Sequence, residues 1–275
     1  MLKQRIVTAA VLLPLFLAAL FLLPNVYWGL LLCAAMALAG SEWGRLSGLA
    51  PAQSWWYGIA LGAACVALLL LERAGAFGAG LLYSTPGRLG YAAALAFWIV
   101  VVPLWLYARR HVRSRLLLAG VGVLVLLPFW HALVFLQPTP GRLLAVMGVV
   151  WVADTAAYFA GRAFGRRKLA PHISPGKTWE GVGGAILGVT GYWLLLAAVA
   201  PWHAGQMPAG LLLPLALLAV SVYGDLFESW VKRMAGQKDS GTLLPGHGGL
   251  LDRVDALTSA LPFAALYFAY PGLRL

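Results

Sequence analysis

The stretch LLLAGVGVLVLLPFWHALVFL, residues 116–136, contains no Asp, Glu, Lys or Arg. A helix of about 20 apolar residues is long enough to cross the hydrocarbon core of a bilayer. The rest of the chain has the same character, because 61% of the 275 residues are hydrophobic and 11% are charged. An ordinary soluble domain carries about 25% charged residues. The sequence therefore predicts an all-α, polytopic integral membrane protein.

Apolar runs of similar length recur along the chain. They predict nine helices, at residues 6–23, 26–40, 57–71, 90–108, 116–136, 142–161, 181–200, 210–232 and 256–271. The second, third and ninth runs are short for a full crossing, so eight spans or a re-entrant segment are alternatives. No change of composition marks a second domain, and we predict one membrane domain over residues 1–275.

The basic residues test this count independently. With the N-terminus in the cytoplasm, sixteen of the 20 Lys and Arg residues fall in segments on the inner side, and the outer side keeps Arg73, Arg88, Arg142 and Arg274. This asymmetry follows the positive-inside rule and favours nine spans with the C-terminus outside. We attribute the net charge of +11 to the basic residues that set the orientation of the protein in the membrane. Because the basic residues form no continuous stripe along one element, we predict no nucleic-acid partner.

Charged residues, glycines and prolines concentrate in SWVKRMAGQKDSGTLLPGHGGLLDRVD, residues 229–255, which we call the charged segment. An ionisable group between apolar spans is costly in lipid and usually faces a partner, a cavity or water. All the acidic residues except Glu72 fall on the predicted cytoplasmic side, together with most of the basic ones. Carboxylates bind hard cations, and Lys and Arg bind phosphate oxygens, so this distribution indicates a site for phosphates and a divalent metal.

Asp225 lies inside the eighth predicted span, where its carboxylate requires a partner. Ser229 and Lys232 follow at i+4 and i+7 on the same helical face, and Glu228 is spaced to pair with Lys232. A salt bridge at the helix end is the alternative explanation for both carboxylates.

Asp252 and Asp255 stand three residues apart at the start of the ninth predicted span, so both can face one site. Helix capping is the alternative explanation for one of the two. The glycines on either side of His247 let backbone N–H groups approach an anion closely.

A second polar cluster covers residues 154–181. Asp154 falls inside the sixth predicted span, which indicates that it is either paired or part of a polar cavity. Lys177 and Thr178 follow a turn, an arrangement that resembles an anion-binding corner, with a solvated loop lysine as the alternative. We predict Glu42 to be a solvated residue at the end of the second span, with a role in a site as the alternative.

Other chemistries lack their motifs. The sequence contains no HExxH or GxSxG arrangement, and SPGKT lacks the leading glycine of a P-loop. We therefore expect neither a zinc hydrolase nor a serine esterase. Cys33 and Cys65 lie in apolar spans, where a thiol behaves as a small hydrophobe, and no disulfide framework is expected.

The charged segment reads S-x-V-K-R, four residues, K-D, and later P-x-H-G-G-x-x-D-R-x-D. It resembles the signature of the phosphatidate cytidylyltransferases, the CDP-diacylglycerol synthases. DTAAYFAGR and ISPGKTWEG also resemble segments of that family, so the resemblance covers roughly residues 140–275. The N-terminal half matches in hydropathy and in the Glu42-Trp43 pair. Ala156 departs from the pattern, since glycine is expected after the Asp-Thr pair.

The resemblance implies transfer of a cytidylyl group from CTP to phosphatidic acid at the cytoplasmic face of the inner (plasma) membrane. It implies Mg²⁺ as cofactor, with a second, monovalent cation as an open possibility, and suggests a homodimer. In this reading residues 1–136 serve packing and lipid contact, and residues 142–271 hold the catalytic helices and cytoplasmic loops.

We hypothesise that Asp225 and Asp252 bind Mg²⁺, as the matching family aspartates are thought to do, with Asp154 as a weaker candidate. The further catalytic candidates are Lys232, Arg253 and Asp255. The expected substrate-binding residues are Ser174, Lys177, Thr178, Ser229, Arg233, Lys238, Asp239, His247, Gly248 and Gly249.

Two hypotheses from other classes are a transporter of an anionic solute and a non-catalytic lipid-binding scaffold. A transporter predicts charged residues at inverted-repeat positions, whereas here they lie in two segments of the C-terminal half. A scaffold has no need of paired carboxylates.

Overall fold

The computed structural model of the protein describes residues 2–199, 210–243, 246 and 248–270. The helices within these ranges are α1 (Leu2–Leu22), α2 (Asn25–Leu46), α3 (Pro51–Arg73), α4 (Thr85–Ala96), α5 (Val102–Ala108), α6 (Arg115–Leu136), α7 (Pro140–Phe164), α8 (Trp179–Val199), α9 (Leu212–Met234) and α10 (Leu251–Ala269). A 3₁₀ turn covers Leu81–Tyr83, and a π-helical turn at Phe97–Val101 joins α4 to α5. Two strands, β1 (Lys168–Ala170) and β2 (Ser174–Thr178), lie between α7 and α8.

Seven helical segments of the described chain are long and apolar enough to cross a membrane. They are α2, α3, the continuous unit from α4 to α5, and α6 to α9. Each of the nine predicted helices coincides with an observed helical segment, and α2 and α3 are longer than predicted, at 22 and 23 residues. Neither α1 nor α10 is among the seven, and α10 carries three charged residues in its first five positions. Nine crossings therefore stay a prediction.

Glycines allow close helix contacts in two pairs of neighbouring helices. In the α2–α3 pair, a Cβ built on Gly58 would overlap the Ala37 carbonyl oxygen. In the α7–α8 pair, a Cβ on Gly184 would overlap the Ala160 side chain. Small residues let helix backbones approach closely in lipid, and both pairs use this device.

Large aromatic residues fill the centre of the bundle. Trp43 on α2 is buried, and its indole N–H donates to the Leu118 carbonyl of α6 at 2.8 Å. Phe227 on α9 packs edge-on against Trp98 and Trp105. These contacts hold the N-terminal helices against α9, and Cys33 and Cys65 are buried free thiols in the same core, as predicted.

A short antiparallel hairpin between α7 and α8 departs from helix and contributes to the site. Strands β1 and β2 pair through Lys168 with Thr178 and Ala170 with Ser174, in a region that the sequence analysis treated as a loop. The backbone N–H groups of Arg166 and Arg167 donate to the Glu180 carboxylate at the start of α8. The hairpin is thereby attached to α8 and directs its second strand toward α9.

Candidate active site

Polar residues of α2, α9, α10 and strand β2 meet at one end of the bundle. Lys232 near the end of α9 contacts Asp252 at the start of α10, and Glu42 near the end of α2 contacts Leu250, just before α10. Lys177, at the end of β2, contacts Asp225 on α9. The two predicted polar clusters therefore form one site with two regions.

The first region is a cavity of about 410 Å³ between α7, β2, α8 and α9, which we call the Asp225 cavity. Its lining is mostly apolar, with Ala153, Leu218 and Val222 among the residues on its surface. The polar side chains that face it are those of Asp154, Tyr158, Arg162, Ser174, Lys177, Thr178 and Asp225.

Asp225 has two partners in this cavity. The Lys177 ammonium lies 2.5 Å from its Oδ2, and the Ser229 hydroxyl donates to its Oδ1 at 3.3 Å. Both members of the ion pair keep about a quarter of their side-chain surface exposed, at 24% and 25%. The alternative of a solvated Lys177 is therefore wrong, and the prediction that Ser229 lies on the same helical face as Asp225 is confirmed.

Asp154 is exposed and lines the same cavity, within electrostatic range of Asp225 and Lys177. This confirms the prediction that Asp154 is part of a polar cavity. Ser174 also lines the cavity, whereas the buried Thr178 hydroxyl accepts from the Gly181 N–H at 3.1 Å and so stabilises the start of α8.

Arg162 is a cavity residue that the sequence analysis counted as a topology determinant. Its guanidinium donates to the Tyr158 hydroxyl at 3.2 Å, one helical turn away on α7. A spacing of four residues places three polar side chains on one face of α7, those of Asp154, Tyr158 and Arg162. This spacing is the sequence signal for the polar face of α7.

The second region, which we call the Asp252 region, consists of Lys232, Ser240, Gly249 and Asp252. The Lys232 ammonium contacts Glu228 at 2.9 Å and Asp252 Oδ1 at 2.6 Å, so the predicted i,i+4 pair with Glu228 is confirmed. Asp252 Oδ2 accepts from the backbone N–H of Ser240 at 2.9 Å and of Gly249 at 2.8 Å. The Asp252 side chain is 6% exposed.

The hydrogen bonds to Asp252 determine its charge state. Burial raises the pKa of this carboxyl. The Lys232 ammonium and the N–H groups of Gly249 and Ser240 lower it by a larger amount, so the pKa lies below its usual value. Asp252 is therefore held as a carboxylate whose two oxygens are both engaged.

Asp255 lies between the two regions. The charges of Asp225 and Glu228 both act on it, and its Oδ1 accepts from the Ala256 N–H at 2.8 Å. Asp252 and Asp255 thus belong to one polar cluster, as predicted, but they have different partners. Gly248 adopts φ +82°, a left-handed conformation that favours glycine, immediately before the Gly249 N–H group.

Three predicted substrate-binding residues and the catalytic candidate Arg253 lie on the outer surface of the site. Arg233, Lys238, Asp239 and Arg253 are exposed, and Lys238 and Asp239 border a second depression of about 580 Å³ that also includes Arg45. The structure does not place Lys238 or Asp239 on the Asp225 cavity. The prediction for His247 falls outside the described residues.

The structure contradicts the predicted solvated position of Glu42. The residue is 2% exposed rather than solvated, because α2 continues past residue 40 to Leu46 and carries Glu42 into the interface with α10. Its carboxylate accepts from the backbone N–H groups of Leu250 and Leu251 at 2.9 Å each. The apolar run used to define the second span ended too early to reveal this contact.

Two carboxylates that face the Asp225 cavity could bind Mg²⁺. Among the described residues, no three His, Cys, Asp or Glu side chains converge into a complete set of metal ligands. Mg²⁺ is ordinarily held by one or two carboxylates, with water and substrate phosphates completing its octahedral shell. Asp225 and Asp154, which face one cavity, fit that requirement.

Comparison with known proteins identifies the family. The sequence matches the model described as the cytidylyltransferase family over residues 3–271. The chain belongs to this family. It is similar to a protein of Pseudomonas aeruginosa named phosphatidate cytidylyltransferase, with 43% identity over 278 residues and 98% of each chain covered. A protein of Haemophilus influenzae with the same name is 35% identical over 290 residues, covering 98% of this chain and 99% of the relative.

Shorter matches are more similar still. A phosphatidate cytidylyltransferase of Brucella melitensis is 52% identical over 132 residues, which cover 46% of this chain and 48% of the relative. The cytidylyltransferase assignment confirms the resemblance found in the charged segment and the expectation of a nucleotidyltransferase. It gives no support to the transporter and scaffold hypotheses.

Proposed function

We propose that the protein transfers a cytidylyl group from CTP to phosphatidic acid, forming CDP-diacylglycerol and pyrophosphate with the assistance of Mg²⁺. The family match and the relatives named phosphatidate cytidylyltransferase support the reaction. The structural observation that carries the proposal is the Asp225 cavity, where Lys177 and Asp225 face an otherwise largely apolar surface. Such a surface suits a lipid with an anionic head group.

The reaction requires no covalent enzyme intermediate. An oxygen of the lipid phosphate attacks the α-phosphorus of CTP, a new P–O bond forms, and the bond to the β-phosphate breaks as pyrophosphate leaves. Catalysis of phosphoryl transfer depends mainly on positioning and on stabilisation of charge. The protein therefore has to bring two polyanions together and hold them in line.

Lys177 and Arg162 supply the positive charge inside the cavity. We assign the lipid phosphate to these two side chains, because the apolar lining beside them accommodates the start of the acyl chains. The exposed Arg233, Lys238 and Arg253 attract the triphosphate of CTP to the neighbouring surface. In the structure, Lys232 is paired with Asp252 and Glu228.

Asp225 and Asp154 would hold Mg²⁺ in this proposal. When bound, the ion neutralises phosphate charge on the nucleotide and on the departing pyrophosphate. Asp252 would become a third ligand where Lys232 leaves its Oδ1, because its Oδ2 is already bonded to Ser240 and Gly249.

The proposal includes a membrane arrangement. Nine spans with a cytoplasmic N-terminus would place the site at the cytoplasmic face of the inner membrane, where CTP is available. The positive-inside asymmetry and the seven long apolar helices support this arrangement. The acyl chains would stay in the bilayer, the assembled form would be a homodimer, and nucleic acid would not be a partner.

The test is turnover of the purified protein in detergent with phosphatidic acid and each of the four nucleoside triphosphates. We expect formation of CDP-diacylglycerol and pyrophosphate with CTP or dCTP and a requirement for Mg²⁺. Omission of phosphatidic acid is the control for nucleotide hydrolysis. Preference for a nucleotide without cytosine would contradict the proposal.

A further inference from the structure

Glu42 is a buried carboxylate that comes from the half of the chain outside the charged segment. Its side chain stands near the end of α2, and the residue is 2% exposed. Burial of a carboxylate is costly unless its oxygens accept hydrogen bonds. Within the described part of the chain, its hydrogen-bond donors are backbone N–H groups and one hydroxyl.

The partners of Glu42 among the described residues lie at the start of α10 or in the loop before it. Oε1 accepts from the Leu250 N–H at 2.9 Å, and Oε2 accepts from the Leu251 N–H at 2.9 Å. These contacts link residues 208 and 209 positions apart in sequence. Helix α10 has no side-chain cap of its own at Leu250, so Glu42 satisfies N–H groups that would otherwise lack partners.

Ser240 connects Glu42 to Asp252. The Ser240 hydroxyl lies 2.9 Å from Glu42 Oε2 and 3.1 Å from Asp252 Oδ2, so two carboxylates share one hydroxyl proton. A Cβ built on Gly249 would overlap both the Ser240 hydroxyl and the Glu42 carboxylate. The arrangement therefore requires glycine at position 249, whose N–H group also donates to Asp252.

We propose that Glu42 is a positioning residue for cytidylyl transfer, which acts by fixing the orientation of the Asp252 carboxylate. This inference rests on the proposed function of the same site. Glu42 holds the backbone of residues 250 and 251 and the Ser240 hydroxyl, and Asp252 takes three of its hydrogen bonds from Ser240 and Gly249. Without Glu42, Asp252 keeps its contact with Lys232. The groups of Ser240 and Gly249 that donate to Asp252 Oδ2 are then no longer held in place.

The first experiment measures kcat and KM of Glu42→Gln for both substrates. Gln has the same volume as Glu but keeps only one acceptor oxygen. Its NH₂ group would face an N–H or O–H donor, and because two donors cannot bond to each other, we expect the loop to move. A misplacement of about 1 Å can lower a rate about 100-fold, and we expect kcat to fall by about that factor with both KM values within about threefold of wild type.

Ser41→Ala is the matched control. Ser41 is the preceding residue on α2, is also buried, and donates within its own helix to the Leu38 carbonyl at 2.8 Å. We expect its kcat to stay within about twofold of wild type, since a single intrahelical bond contributes about 1 kcal/mol or less to stability. An equal loss of kcat in Ser41→Ala would overturn the positioning role, because it would show a general effect of altering α2.

Amide hydrogen exchange distinguishes positioning from a general structural role and needs no substrate. In Glu42→Gln we expect faster exchange in a peptide covering residues 248–256 and unchanged exchange in α6. Unchanged exchange at residues 248–256, or wild-type kcat, would overturn the inference. Failure of the wild-type protein to use CTP would instead refute the proposed function. The hydrogen-exchange result would still show whether Glu42 holds residues 248–256.

Ser240→Ala is the second variant if Glu42→Gln does not fold. It removes the shared hydroxyl and keeps the two backbone bonds that Glu42 accepts. We expect about a tenfold loss of kcat, equivalent to about 1.4 kcal/mol. Wild-type kcat in Ser240→Ala would overturn the inference.

Discussion

Asp225 in the cavity and Asp252 in the second region each pair with a lysine, but the two carboxylates are held differently. Asp225 has one lysine and one distant hydroxyl as partners and keeps 25% of its side-chain surface exposed. Asp252 accepts from a lysine, two backbone N–H groups and a hydroxyl, and its side chain is 6% exposed. The first carboxylate is accessible for binding, and the second is part of the structure of its loop.

This difference separates two uses of a charged group in a membrane protein. A carboxylate that must exchange partners during a reaction keeps access to a cavity, as Asp225 does. A carboxylate that fixes a loop has its oxygens occupied in the folded state, as Asp252 does. Substitutions in the two regions should therefore differ in their effects on stability, even where both abolish activity.

The largest effects are expected from Asp225→Asn and Asp252→Asn. Loss of charge at a metal and phosphate site removes several kcal/mol of stabilisation, so we expect turnover to fall about 1000-fold or more in both. Asp252→Asn should also lower the free energy of unfolding by about 2 to 3 kcal/mol, because a buried charge-assisted network is broken. Asp225→Asn should leave the melting temperature within about 2 °C.

Glu180→Gln is the control for these two variants. It makes the same change of charge near the cavity, in a carboxylate that bonds the backbone of Arg166 and Arg167. Turnover and thermal unfolding of the three purified variants provide the comparison. Equal destabilisation by Asp225→Asn and Asp252→Asn would contradict the distinction between the two regions.

The next effect is expected at Lys177. Lys177→Ala removes a cation from the cavity, and loss of one group that stabilises phosphate charge lowers kcat/KM by about 100-fold. Lys177→Arg retains the charge and should recover part of the activity. Steady-state kinetics with varied phosphatidic acid measures both variants, and an alanine variant as active as the arginine variant would show that charge at this position has no role.

A smaller effect is expected at Ser229. Its hydroxyl donates to Asp225 at 3.3 Å, a long bond to a carboxylate that has a stronger partner in Lys177. Ser229→Ala should therefore lower kcat by about threefold, which corresponds to well under 1 kcal/mol. A loss of 100-fold in the same assay would mean that Ser229 contacts the substrate directly.

The smallest effect on activity is expected outside both regions. The Tyr192 hydroxyl on α8 donates to the Ala145 carbonyl of α7 at 3.2 Å. Tyr192→Phe should cost about 1 kcal/mol of stability and leave turnover within about twofold. Thermal unfolding and the cytidylyl transfer assay check the two parts, and a large loss of turnover would extend the functional region along α8.

Contacts within one helix were predictable from the sequence. The Glu228–Lys232 pair and the Ser229–Asp225 bond both join residues four apart, so helical geometry alone brings them together. The helices themselves were found because a bilayer crossing requires a long apolar run. These features depend on local sequence, which is why their prediction succeeded.

Contacts between distant segments were not predictable. Lys177 lies 48 positions from Asp225, and their pairing depends on the short hairpin whose second strand, SPGKT, contains Pro and Gly and gives no strand signal. Glu42 lies 208 positions from Leu250, and its role depends on how α2 packs against α10. Hydropathy describes single helices, whereas these contacts are determined by tertiary packing.

We propose that the accessible carboxylate of Asp225 holds the divalent cation. Binding of Mn²⁺, as a paramagnetic substitute for Mg²⁺, to purified wild-type, Asp225→Asn and Glu180→Gln protein tests this claim most directly. We expect Asp225→Asn to weaken Mn²⁺ binding at least about tenfold, a difference of about 1.4 kcal/mol, and Glu180→Gln to bind as wild type does. Wild-type Mn²⁺ affinity in Asp225→Asn would show that Asp225 is not a ligand of the cation.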